Sequence, residues 1–176
     1  MTKNQLKTKR GFTIIEVVLV LAIAGLIFMM VFLALPALQR SQRDTQRRDD
    51  MSRFIAQINQ YQANNRGKVP TAAGEHKWDA SDTGDWRTFH DGYLVGNGDD
   101  FTDPGGSGYW VNDHGKITAD TTLPAGTTSV DYFIHVYHGA SCSDVEGTVK
   151  KSENASDRKI AILYKLEGAG VYCGES

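Results

Sequence analysis

Between Val17 and Leu38 the chain runs for 22 residues without a single charge. As a helix rising ~1.5 Å per residue, that run covers roughly 33 Å, the thickness of a bilayer's hydrocarbon core. The competing reading is a buried core helix, but a soluble domain made from a 176-residue chain rarely hides a segment that is apolar on every face. Extended back to Phe12, the apolar segment contains one ionisable residue, Glu16. A lone carboxylate inside a membrane helix costs ~2.5 kcal/mol or more, so its presence points to function.

Charge divides the chain in three. Residues 1–11 hold Lys3, Lys7, Lys9 and Arg10 and no acid; residues 12–38 hold only Glu16; residues 39–176 hold 15 basic and 20 acidic side chains, a net of −5. A basic amino terminus ahead of a span predicts that this end stays cytoplasmic and that the acidic remainder lies beyond the membrane. Net acidity there argues weakly against non-specific nucleic-acid binding. Both cysteines, Cys142 and Cys173, fall in that outer part, where the compartment can be oxidising. One pairing exists for two cysteines, and the residues alone leave bridged and free thiols both open; no CxxC or zinc-type spacing occurs.

The helix is predicted to continue beyond the membrane. Residues 39–65 lack Gly and Pro, and Met51, Phe54, Ile55, Ile58 and Tyr61 (or Gln62) recur at helical spacing, giving one apolar stripe. Asn64-Asn65-Arg66-Gly67, with Pro70 beyond, marks the end. A helix from Phe12 to about Asn64 is roughly 80 Å long, more than a head of this size can cover. Gly25 and Pro36 are its expected weak points, since Gly lowers helix propensity and Pro36 removes a bond to the Phe32 carbonyl. Residues 66–108 read as a long irregular loop. Strand-like runs follow at Tyr109–Asn112, Val130–Tyr137 and Arg158–Leu166, separated by Gly-rich turns, which favours an antiparallel sheet. The expected fold is therefore α+β: a long amino-terminal helix carrying a small antiparallel sheet in a head of residues 66–176, with 109–176 holding the strands and the cysteines.

The residues Lys9-Arg10-Gly11-Phe12-Thr13-Ile14-Ile15-Glu16 resemble the processing signature of type IV prepilins and pseudopilins. The resemblance is close over residues 7–38 and extends to the rest only in plan. It implies that residues 1–11 are a leader, cut between Gly11 and Phe12 by a prepilin peptidase that also methylates the new Phe12 amine. Residues 12–38 then form first a membrane anchor, with the head outside, and later the core of a surface filament. The implied partners are other copies of the chain, minor pilins, and an assembly ATPase with its platform protein. Adhesion, twitching motility and DNA uptake are the implied tasks, with nucleic acid only as an indirect cargo. A pseudopilin of a secretion or competence machine is the alternative, and a monomeric single-span surface binding protein a further one. Gly25 matches a helix-weakening Gly of the family, whereas Pro36 sits about three residues later than usual.

The physics of Glu16 supports the same picture. A cut at Gly11–Phe12 creates an amine about one turn from the carboxylate, and a paired buried charge is far cheaper than a lone one. The amine of a neighbouring copy is an equally suitable partner. Arg40, Arg43, Arg47, Arg48 and Arg53, interleaved with Asp44, Asp49 and Asp50, read as a self-paired solvated face, with intersubunit salt bridges or membrane anchoring by Arg40 and Arg43 as alternatives. Asp99, Asp100, Asp103 and Asp113 surround a Gly-rich stretch that reads as a turn resembling one in pilins, with calcium as the alternative ligand. The five histidines show no metal-ligand spacing, no catalytic motif is present, and the chain is read as a non-enzyme that needs no cofactor.

Overall fold

In the computed structural model, the described residues are 11–78, 82–98, 102–125, 127, 132–153, 158–168 and 170–176. The structure divides at Gln39/Arg40 into two units. Helix α1, Ile14–Asn64, passes through both. It ends where the polar Asn-Asn-Arg-Gly run begins, with Gly67 at φ 78°, a left-handed conformation that a Cβ would strain. Up to Leu38 its large apolar side chains lie exposed, Ile14 at 86% and Leu38 at 59%. Beyond Arg40 one face is buried: Met51, Phe54, Ile58 and Tyr61 belong to the core, and Ile55 packs against it.

The strands are β1 (Gly74–His76), β2 (Trp110–Lys116), β3 (Thr121–Thr122), β4 (Phe133–His138), β5 (Ala140–Cys142), β6 (Thr148–Lys151), β7 (Ile160–Lys165) and β8 (Val171–Glu175). Five form the main sheet in the order β1-β2-β4-β7-β8, and three form a small sheet, β3-β6-β5. The architecture is the expected α+β, a long amino-terminal helix with a small sheet-bearing head. One detail differs from the antiparallel expectation: β2 and β4 pair in parallel, with Trp110 opposite Phe133 and Val111 opposite Ile134. The 16 residues between Lys116 and Phe133 exceed the dozen or so that a parallel return requires.

The described part of residues 66–108 holds more regular structure than the irregular loop expected there. They contain β1, a short helix α2 (Asp85–Phe89) and a π-helical turn at His90–Val95. Aromatic packing holds this segment: the ring of Trp86 stacks with Phe54 at 6.3 Å, and Phe89 meets Phe54 and Tyr61 edge-on at 5.6 and 5.8 Å. The expected strand at Val130–Tyr137 begins at Phe133, and Val130 lies outside the described residues.

Strand alternation gives the sheet two faces. Val111, Ile134, Val136, Ile160 and Ile162 pack with Met51, Phe54 and Ile58 of α1. On the other face Tyr137, Ala161 and Leu163 pack with Ala140 and Val149 of the small sheet. Cys142 of β5 and Cys173 of β8 are joined by a disulfide with a Cα–Cα distance of 5.9 Å, so a covalent bond ties the small sheet to the outer strand of the main one. Closing a loop of this size is worth roughly 3–4 kcal/mol in the chain-entropy account. Replacing both cysteines by serine is expected to lower unfolding stability by about that amount, read as a reduced denaturation midpoint under non-reducing conditions.

Candidate assembly site

The first turn of α1 gathers the residues that set Glu16. Thr13 occupies the position just before Ile14. Its backbone N–H and its hydroxyl both donate to Oε2 of Glu16, at 2.9 and 2.8 Å. The Glu16 N–H donates back to Thr13 Oγ1 at 3.4 Å. This is a capping box: a helix start leaves N–H groups without partners, and the Thr/Glu pair satisfies two of them reciprocally. The carboxylate also faces the positive end of the helix dipole. Glu16 is therefore a first-turn residue with a partner of its own, rather than a charge set within the apolar helix. The sequence reading missed Thr13, although the Thr-x-x-Glu spacing was the available signal. Among the described residues, Oε1 of Glu16 accepts no hydrogen bond.

Phe12, at 91% exposure, lies beside this cap. With Glu16, Val17, Val20 and Leu21 it lines an open groove. Gly11 is described and its surroundings are open, whereas Lys9 and Arg10 lie outside the described residues. The helix stays continuous through both Gly25 and Pro36, the two expected weak points.

Where α1 enters the head, its charges turn inward, which corrects the reading of a solvated arginine face. Arg47 is 3% exposed and clamps Asp103 through Nε at 2.6 Å and Nη2 at 3.0 Å, while its Nη1 reaches Asp44 at 3.0 Å and Glu167 at 3.2 Å. Arg43 grips Glu167 with two bonds of 2.8 and 2.6 Å. Asp44 accepts the backbone N–H groups of Glu167 and Gly168 at 2.9 and 2.7 Å. Asp50, also buried, accepts from the Tyr109 hydroxyl at 2.9 Å. Arg40, Arg48, Asp49 and Arg53 keep the exposed character expected of the whole stripe. Sequence spacing could show the within-helix pairs but not these partners, which lie 56 to 124 residues away.

The aspartates considered for calcium separate into two internal sets. Asp103 binds Arg47, the Gly105 N–H at 2.7 Å and the Tyr164 hydroxyl at 3.3 Å. Asp113 accepts from the Trp86 indole at 2.8 Å, from the Ala72 N–H at 3.1 Å and from the Gly115 N–H at 2.7 Å, and it lies 2.9 Å from His138 Nε2. Both carboxylates are thus spent on holding the head together. Asp99 and Asp100 lie outside the described residues. Burial pushes the Asp113 carboxyl up, but His138, Trp86 and Gly115 outweigh it and hold it below the ordinary value. Glu167 is held down to about 2, chiefly by the Arg43 hydrogen bonds, with a smaller contribution from Arg47.

Residues 6–32 match the family model of the prokaryotic N-terminal methylation motif. The chain thus carries the amino-terminal processing signal shared by type IV pilins and pseudopilins. Neither a curated protein nor a solved structure matches the chain.

Because the Glu167 carboxyl is depressed in the folded head, its contribution to stability is full above its unfolded value of 4.5 and disappears as pH falls toward 2. The thermal midpoint should decline over that window. Glu167→Gln should lower the midpoint at neutral pH and flatten the acid decline; an identical decline in the variant would show that Glu167 does not contribute to it.

Proposed function

We propose that this chain is a structural subunit of a type IV pilus-like surface filament, made as a membrane-held precursor and assembled after its leader is removed. The observation that carries the reading is the joining of the methylation motif at residues 6–32 to an apolar helix whose side chains are exposed in the single chain. Such a surface needs lipid or further copies of itself as its surroundings.

In this reading the peptidase cuts between Gly11 and Phe12 and methylates the Phe12 amine. Before cleavage, Thr13 already holds Oε2 of Glu16. Cleavage supplies a cation close to Oε1, and the amine of an adjoining copy suits the same oxygen. Glu16 thereby sets the axial register of an incoming subunit, while Thr13 keeps its carboxylate pointed at the helix start. Gly25 and Pro36 are the places where the helix yields once other subunits surround it. The heads form the filament surface, and adhesion, twitching motility or DNA uptake is its task. The partners are the peptidase, the assembly ATPase and platform protein, and minor pilins. The long 66–108 segment, with its own packed aromatic cluster, favours an exposed pilin over a pseudopilin.

Mass spectrometry of sheared surface material tests this. The expected result is an abundant chain beginning at methylated Phe12. A chain recovered at the cell surface with Met1 intact would overturn it, and a processed chain found only in short envelope-bound assemblies would select the pseudopilin instead. In the same experiment Glu16→Val should be processed normally yet be depleted from the sheared fraction by an order of magnitude or more; normal filament yield would refute the role given to Glu16.

A further inference from the structure

Among the described residues, the small sheet packs on one side only of the outer face of the main sheet. The small sheet and the disulfide lie over its β7 and β8 side and over Tyr137 near the end of β4, where Tyr137, Ala161, Leu163 and Cys173 are packed. On the β1 and β2 side the same face carries a different set. Register places Glu75 beside Asn112 and Asn112 beside His135, and Trp110 beside Phe133. Alternation puts Trp110, Asn112 and His114 on one face, opposite to Val111 and Asp113. None of Glu75, Lys77, Trp110, Asn112, His114 and Phe133 is buried: Glu75, Lys77 and His114 are exposed, and the other three are half-buried.

These side chains form a shelf with a defined chemistry. The rings of Trp110 and Phe133 meet at 5.3 Å and 64°, and His114 stacks flat on Tyr137 at 4.6 Å and 8°. Lys77 Nζ rests 4.9 Å from the centre of the Trp110 ring. A cation–π contact at so exposed a lysine is weak, and a ligand displaces it readily. Around the rings stand an acceptor (Glu75), a donor (Lys77) and an amide that does both (Asn112). The Glu75 and Lys77 charges cancel, so the shelf is neutral inside a head (residues 66–176) of net charge −7.

We propose that this shelf is a binding site for a neutral saccharide. A sugar ring offers an apolar C–H face to an aromatic ring and hydroxyls to donors and acceptors at its rim; Trp110, with Phe133 set edge-on to it, supplies the ring, and Glu75, Lys77 and Asn112 supply the rim. A polyphosphate chain would be repelled by the acidic head, and an apolar peptide would leave the rim groups without partners. The inference does not depend on polymerisation, because every residue of the shelf lies within the head.

The test uses the full chain in a detergent without a sugar headgroup. It is titrated with chitotriose, maltotriose and cellotriose, and binding is read from tryptophan emission and from retention on saccharide-coupled resin. Saturable binding of at least one of them is expected, weakened tenfold or more by Trp110→Ala at unchanged thermal midpoint. If Trp110→Ala proves unstable, Glu75→Ala and Asn112→Ala, both at the rim, are each expected to weaken binding at least threefold. Absence of saturable binding to all three, binding indifferent to these variants, or saturable binding only to a single-stranded oligonucleotide or an apolar peptide would each overturn the proposal. Failure here leaves the filament reading standing, and an unprocessed Met1 leaves this one standing.

Discussion

The uncovered apolar half of α1 is the constraint on which everything else depends. From Phe12 to Leu38 its large side chains are exposed, most at half their surface or more. At about 25 cal/mol per Å² of apolar surface, water cannot be their lasting environment. Lipid satisfies such a surface without order, and parallel copies of the same helix satisfy it with order. In the proposed filament, a leader and its removal would be the means of moving from the first to the second. The capping box contributes by keeping the helix start intact where no water is present to complete its N–H groups.

The other half of α1 is held by opposite means. Where the first half presents only apolar atoms, the entry to the head is fixed by charge: Arg47 lies among Asp44, Asp103 and Glu167, with Arg43 completing the Glu167 pair. A buried ion cluster adds little net stability compared with a well-packed apolar one, but losing its centre is costly, since removing Arg47 leaves the buried Asp103 without a cation. Asp103 links the helix to the turn before β2, and Tyr164 brings β7 to the same carboxylate. The apolar stripe from Met51 to Tyr61 then packs against a sheet whose position is already defined.

Much of this was legible from residues. The 22 uncharged positions, the stripe at Met51, Phe54, Ile58 and Tyr61, and the helix end at Asn64 depend on local pattern, and local pattern survives in sequence. The Thr13–Glu16 cap is equally local, carried by the Thr-x-x-Glu spacing at the start of the apolar run. What could not be read depends on distant chain segments. The parallel pairing of β2 with β4, the burial of Arg47 against Asp103, and the use of Asp113 to hold Trp86 and His138 each join parts of the chain that no spacing rule connects. Short elements such as β1, β3 and α2 carry too few residues to show a period, and tertiary packing alone stabilises them.

The central claim is that the apolar half of α1 exchanges lipid for copies of itself. A photo-crosslinking residue placed at Leu26, which is 70% exposed, tests it directly. Crosslinks to lipid in the membrane fraction and to a second copy of the chain in sheared filaments are the result the account predicts. Crosslinks to the chain's own head in both fractions, or no change of partner between them, would contradict it.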